Sequence, residues 1–128
     1  MKMESYVQGD TLIIELVGEI DHHTSITLRE WVDREYQRSR VKNILFNFKK
    51  VKFMDSSGIG MLMGRYRNVA ICGGKVALMH VGDPIDKILE LAGIYKLMKN
   101  YKDEQTALDV LGTSYQDKGG FNCYKETK

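Results

Sequence analysis

The sequence predicts an α/β fold, in which helices pack against a mixed, largely parallel sheet. Short apolar segments with strand character alternate along the chain with longer segments whose apolar residues recur every three or four positions. Aspartates stand before several of the helical segments and glycines follow them, and these are common start and stop signals of helices. Strands and helices that alternate in this way favour a mostly parallel sheet.

The first part of the chain predicts a hairpin followed by a helix. Residues 5–7 and 11–17 have strand character and flank a Gly-Asp pair, which favours a tight turn. The second of these strands is apolar along most of its length, so we expect it inside the sheet with both faces covered. A helix is expected over residues 25–38, with Asp21 or Thr24 as its N-cap.

The rest of the chain predicts three more strands and three more helices. The strands are expected at residues 43–48 and 75–81, with a short edge strand at 95–99. The helices are expected from residue 56 to about 71, from Pro84 onward, and after Asp103. The first of these helices has an apolar face that is expected to be buried, formed by Ile59, Leu62, Met63, Tyr66 and Val69.

Size and composition indicate one small domain. The chain has 128 residues, 43% of them hydrophobic, and its net charge of +2 gives no basic face for nucleic acid. Cys72 and Cys123 lack the spacing of a metal or redox motif, and no apolar run approaches the roughly 20 residues of a membrane span. We therefore expect free thiols, a cytoplasmic location without a signal peptide, and no membrane partner.

Residues 53–66, FMDSSGIGMLMGRY, carry the candidate functional site. Asp55 and Ser56 fall where a strand passes into a helix, so their side chains can cap the free amides of the first turn. A serine hydroxyl held there is accessible and lies at the positive end of the helix dipole, which favours an anionic group. The position therefore suits a phosphorylated serine, whose added charge would act on whatever protein docks there.

Two other functions compete with this hypothesis. Gly58, Gly60 and Gly64 open a helix after a strand, as in a nucleotide-binding turn, but their spacing does not match the dinucleotide fingerprint. Ser56 stands where a hydrolase places its nucleophile, but no GxSxG surrounds it and His80 lies within an apolar strand. Neither histidines nor cysteines show metal-ligand spacing. Catalytic, cofactor and metal sites are therefore not expected.

Four segments together identify a family resemblance. MDSSGIGMLMGRY at residues 54–66, GEIDHHT at 18–24, GGKV at 73–76 and ELAGIYKLM at 90–98 resemble the anti-sigma factor antagonists of the STAS domain family. Among them the similarity is greatest to the sporulation anti-sigma F factor antagonists. The resemblance covers residues 3–112, and it implies a four- to five-stranded mixed sheet with about four helices, largely on one side. We expect a STAS domain at residues 1–112 and a flexible tail at 113–128.

The resemblance implies a binding module and not an enzyme. Unphosphorylated, such a protein binds an anti-sigma factor that is also a GHKL-type serine kinase, and so releases a sporulation sigma factor. The kinase would phosphorylate Ser56, and a PP2C-type phosphatase would restore the active form. The implied partner-binding residues are Asp21, His22, Asp55, Ser56, Ser57, Gly58, Ile59 and Gly60. We expect a monomer without direct nucleic-acid contact. A STAS regulator of a stress-response pathway and a small nucleotide-binding protein remain the alternatives.

Overall fold

The computed structural model describes residues 1–112. The strands are β1 (Lys2–Gln8), β2 (Thr11–Ile20), β3 (Asn43–Met54), β4 (Val76–Met79) and β5 (Asn100–Tyr101). The helices are α1 (His22–Ser39), α2 (Ser56–Ile71), α3 (Ile85–Leu91) and α4 (Glu104–Gly112), with a 3₁₀ helix at Ile94–Lys96. The predicted boundary at residue 112 and the tail at 113–128 lie at and beyond the end of the described residues, so that division of the chain stays a prediction.

The five strands form one sheet in the order β1-β2-β3-β4-β5. The hairpin of β1 and β2 is antiparallel, and β2 to β5 are parallel to one another. Parallel neighbours need a crossover connection. Helix α1 joins β2 to β3, α2 joins β3 to β4, and α3 with the 3₁₀ helix joins β4 to β5. This mixed sheet confirms the predicted fold class.

Helices cover the two faces of the sheet unequally. Residues of α1, α2 and α3 such as Leu28, Leu62 and Leu89 are fully buried in one large core against one face. Of the helices in residues 1–112, α4 alone packs on the opposite face, where Ala107 and Leu111 join Ile13, Leu45, Ala77 and Met79 in a smaller core. The prediction of helices largely on one side is confirmed.

The buried face of α2 is centred differently from the one predicted. Leu62 and Val69 are buried as expected, whereas Ile59, Met63 and Tyr66 are only partly buried beside the core. The positions buried in their place are Gly58, Met61 and Arg65. The spacing of apolar residues in the sequence predicts which stripe of α2 is apolar. The packing of α1 against α2 decides which side of that stripe is buried.

Arg65 is the buried charge that joins α1 to α2. It is 7% exposed, and its Nε lies 2.8 Å from Asp33 Oδ1 on α1. Burial lowers the pKa of Arg65, while the charge of Asp33 acts in the opposite direction. The Arg65 Nη1 also donates to the Met61 carbonyl at 3.3 Å. Because a buried cation needs such partners, this contact favours one arrangement of the two helices and therefore of their N-terminal ends.

Several sequence-based predictions of element boundaries need correction, among them the strand predicted at 43–48, which continues to Met54 because it pairs with β2 as far as Ile20. The strand predicted at residues 95–99 is wrong, because Ile94 and Met98 are both buried at helical spacing and the Met98 amide bonds the Ile94 carbonyl at 3.0 Å. The strand predicted at 11–17 continues to Ile20, since the Gly18 backbone (φ 121°) is accommodated in a bulged segment. The helix predicted at 25–38 begins earlier, at His22, because Asp21 caps it.

Cys72 at the C-terminal end of α2 is disulfide-bonded. The expectation of a free thiol is therefore wrong for Cys72, and Cys123 lies outside the described residues. Over residues 1–112, none of the helices combines the length and the apolar character needed to cross a bilayer.

A two-stranded ribbon extends beyond the main sheet toward the candidate site. The pairing of β4 with β3 ends at Asn47, and that of β1 with β2 ends at Val17. Beyond these points residues 18–20 of β2 pair only with residues 51–54 of β3. We call residues 18–20 and 48–54 the ribbon. Phe48, Val51 and Met54 anchor it in the larger core.

Candidate functional site

The candidate site is built where the two strands of the ribbon end side by side. Ile20 pairs with Met54, and each strand is followed by one aspartate and then directly by a helix. The Asp55 amide donates to the Ile20 carbonyl at 3.2 Å, which ties the two ends together. The N-termini of α1 and α2 therefore emerge from neighbouring strands at the same edge of the sheet.

Asp21 and Thr24 together cap α1. The Thr24 amide donates to Asp21 Oδ1 at 2.9 Å, and the Asp21 amide donates to Thr24 Oγ1 at 2.8 Å. This reciprocal pair is a capping box with threonine in the third helical position. The backbone hydrogen bond from Thr24 lowers the pKa of Asp21, so this carboxylate is charged at neutral pH. The two predicted alternatives for the cap therefore both take part.

Asp55 and not Ser56 supplies the side-chain cap of α2, so the Ser56 hydroxyl is not needed as the cap. The Asp55 side chain accepts from the Ser57 amide at 2.8 Å, and its carbonyl accepts from the Gly58 amide at 3.0 Å. Ser56 is the first residue of α2 and is exposed to solvent. Its hydroxyl is thus accessible on a backbone that strand β3, the cap and the helix all hold in place.

The other predicted contact residues differ in how far they reach the surface. His22 is exposed at the start of α1, with its ring 5.9 Å from that of His23, and Gly60 is exposed on α2. Asp21, Asp55, Ser57 and Ile59 are half-buried, and Gly58 is buried. The structure therefore brings the predicted residues together at one edge, but it places Gly58 beneath the surface and not on it.

Gly58 is where α2 touches the end of β3. A Cβ at this position would lie 2.3 Å from Met54 Cγ and 3.3 Å from Ile20 Cγ2. Met54 is fully buried, so its side chain has little room to withdraw. Glycine is therefore needed here for the close packing of α2 against the ends of β2 and β3.

We expect Gly58→Ala to destabilise the fold by about 2 kcal/mol, the usual range for overpacking a core contact. Urea denaturation followed by circular dichroism measures the change. Gly60→Ala is the matched control, because nothing lies within 4 Å of a Cβ there. Alanine at residue 60 should instead add about 0.5–1 kcal/mol from helix propensity. Equal stability of the two variants would show that Met54 repacks without cost.

The alternatives raised by the sequence find little support in the geometry. Asp55 alone separates β3 from α2, which leaves no loop to surround a phosphate chain at Gly58, Gly60 and Gly64. His80 follows β4, whose pairing with β3 ends at Asn47, well before the end of β3. The structure therefore does not bring His80 to Ser56 as a general base. Within residues 1–112, no three side chains among His, Cys, Asp and Glu cluster as a metal site would require.

Comparison with known proteins agrees with this geometry. The sequence pattern of the STAS domain matches residues 2–107. The anti-sigma F factor antagonist of Paenibacillus polymyxa is 40% identical over 111 residues, which cover 87% of this chain and 95% of that protein. An anti-sigma-B factor antagonist of Staphylococcus aureus is 26% identical over 77% of this chain and 90% of its own length.

The fold is also that of a phosphorylated relative of known structure. The Bacillus cell fate determinant SpoIIAA in its phosphorylated form superposes with a TM-score of 0.66 at 29% identity, over 85% of this chain and 98% of that one. The domain pattern matches nearly all of the described residues, and the Paenibacillus protein is 40% identical to this chain. The chain belongs to the STAS domain family.

Proposed function

We propose that this chain is an anti-sigma factor antagonist that is switched off by phosphorylation of Ser56. The observation that carries the proposal is the exposed Ser56 hydroxyl on the first turn of α2, at an edge where Asp21 and His22 are also presented. The names of the relatives from Paenibacillus and Staphylococcus support the antagonist role. The phosphorylated form of SpoIIAA supports a covalent switch in such a protein.

Phosphorylation would change the surface without requiring a change of fold. The phosphate adds about −1.5 to −2 charges, and the N-terminus of α2 is a favourable place for them. The added charge would stand beside Asp21 and Asp55, whose carboxylates already make this edge acidic. A partner fitted to the unmodified edge would meet new repulsion and bulk, which favours its release.

The proposed partners follow from the same assignment. The anti-sigma factor would be a serine kinase of the GHKL type, and a PP2C-type phosphatase would remove the phosphate. We propose a sporulation sigma factor as the one released, with a stress-response pathway as the alternative, which the Staphylococcus relative represents. Because anti-sigma factors act on transcription, we expect a cytoplasmic protein. Free thiols give no support for that location, since Cys72 is disulfide-bonded.

Intact-mass measurement and peptide mapping test the switch. The chain is incubated with ATP and the proposed GHKL-type anti-sigma kinase, and complex formation is followed by size-exclusion chromatography. We expect one added phosphate, located on Ser56, and loss of the complex as the phosphate appears. The Ser56→Ala variant should take up no phosphate and should remain in the complex.

Two outcomes would contradict the proposal. One is phosphate on Ser57 or elsewhere with Ser56 unmodified, which would mean that the accessible hydroxyl is not the acceptor. The other is no phosphate at all with a kinase that modifies a control substrate, which would mean that the partner is of another kind.

A further inference from the structure

The ribbon presents side chains that the Ser56 switch does not use. Lys49, Lys52 and Phe53 are all exposed, and Phe53 has 47% of its surface accessible. Large aromatic side chains are usually enclosed in a folded domain, and exposed ones are enriched where proteins bind one another. The neighbouring Val51 and Met54 are buried, so the segment is firmly attached to the core.

Two β-bulges interrupt the regular pairing of β3 along this exposed segment. Asn47 pairs with Glu15 and Lys50 with Val17, so Phe48 and Lys49 together face the single residue Leu16. Val51 pairs with Gly18 and Phe53 with Glu19, which leaves Lys52 as a second extra residue. A bulge breaks the alternation of a strand and redirects side chains, and bulges are frequent beside functional sites. Both bulges lie between the main sheet and Ser56.

The lysines supply positive charge that is not used within the described fold. Lys50 pairs with Glu15 at 3.5 Å, whereas Lys49 and Lys52 have no acidic group within ion-pair distance in residues 1–112. Lysines on an unpaired strand edge also protect against unwanted pairing with other strands. That role does not explain why an aromatic ring is exposed beside them.

We propose that Lys49, Lys52 and Phe53 form a second docking surface, which binds an acidic patch with an apolar centre on the anti-sigma factor that contacts Ser56. This inference rests on the proposed function. Phe53 is three residues from Ser56, or about 10 Å along an extended chain, so one partner can cover both places. The edge at Asp21 and Asp55 is negatively charged, whereas the ribbon is positively charged. Opposite charges at two places on one interface favour a single orientation of the partner.

Isothermal titration of the full chain with the proposed anti-sigma factor tests this surface. The charge-reversed variant is Lys49→Glu/Lys52→Glu, which keeps a charged strand edge and therefore its protection against aggregation. The matched control is Lys87→Glu/Lys96→Glu, in which two exposed lysines of α3 and the 3₁₀ helix undergo the same charge change. Each protein is titrated at about 0.05 M and about 0.5 M salt.

We expect the Lys49/Lys52 reversal to weaken binding about tenfold or more at low salt and about twofold or less at high salt, because screening removes the electrostatic part. The control should stay within about twofold of the wild type. Phe53→Ala should weaken binding about tenfold at both salt concentrations, since its contribution is burial and not charge. Should the reversed pair fail to fold, Lys49→Gln/Lys52→Gln gives the same test with a smaller expected loss.

Several results would overturn the inference. If the Lys49/Lys52 reversal and the Lys87/Lys96 control lose the same affinity, the loss comes from net charge and not from a docking surface. If the Lys49/Lys52 reversal binds as tightly as the wild type, the lysines serve only to prevent unwanted pairing of the strand edge. Binding of single-stranded DNA that depends on Lys49 and Lys52, with binding of the anti-sigma factor unchanged, would replace the protein partner by nucleic acid. Absence of binding by the wild type would overturn the proposed function itself, and this inference with it.

Discussion

Ser56→Asp should weaken binding of the anti-sigma factor by about 100-fold, or about 2.7 kcal/mol. The substitution places a carboxylate on an exposed position next to Asp55 and at the same edge as Asp21. Like charges brought together at a protein interface cost several kcal/mol, and the new carboxylate would join those of Asp21 and Asp55. Isothermal titration or surface plasmon resonance measures the loss.

The fold itself should be unaffected or slightly more stable. An acidic residue in the first turn of a helix interacts favourably with the helix dipole, typically by about 0.3–1 kcal/mol. Ser56→Asn is the matched control, because asparagine has nearly the shape of aspartate without its charge. We expect Ser56→Asn to bind much more tightly than Ser56→Asp. Equal losses would mean that bulk at residue 56, and not charge, breaks the complex.

Gly74→Ala should have the largest effect on stability, a loss of about 3 kcal/mol or more. A Cβ on residue 74 would lie 1.9 Å from the Lys42 carbonyl oxygen, and this atom belongs to the backbone and cannot rotate away. The same oxygen accepts the Tyr36 hydroxyl at 2.7 Å, so any shift that relieves the overlap also disturbs that hydrogen bond. Urea denaturation of the variant and the wild type measures the difference.

Gly82→Ala is the matched control, because it replaces a glycine by alanine without creating a steric overlap. No atom lies within 4 Å of a Cβ at residue 82, and its backbone is not in the left-handed region. Alanine there should change the stability by about 1 kcal/mol or less. Folded Gly74→Ala protein should still bind the anti-sigma factor, because residue 74 precedes β4 and is remote from the ends of β2 and β3. A stable Gly74→Ala variant would show that the segment at Lys42 moves easily.

Local signals in the sequence were sufficient to locate the candidate site. Asp55 before an apolar helical repeat predicted the cap of α2, and with it an accessible serine at residue 56. The repeat and the glycines at residues 73 and 74 predicted the extent of α2. These features depend on interactions between residues a few positions apart, so the sequence alone contains them.

Only the tertiary structure decided which residues surround Ser56 and how α2 is held. Asp21 lies beside it because Ile20 pairs with Met54, a contact between residues far apart in the sequence. Arg65 is buried because Asp33 of α1 reaches it, whereas its charge alone predicts exposure. In the sequence, Gly58 and Gly74 look like ordinary helix and loop glycines. The structure shows that Met54 and Lys42 leave no room for a side chain at these two positions.

The bulges of β3 also separate what the sequence predicts from what tertiary contacts decide. The apolar strand from Asn43 was evident, but the two bulges at Lys49 and Lys52 follow from the pairing with β2, which has fewer residues over the same stretch. The sequence by itself therefore determined the elements, their caps and the candidate serine, since these rest on local hydrogen bonds and periodicity. Tertiary packing decided the neighbours, the buried charge and the orientation of the ribbon, because long-range strand pairing and helix contacts have no signature within a single segment.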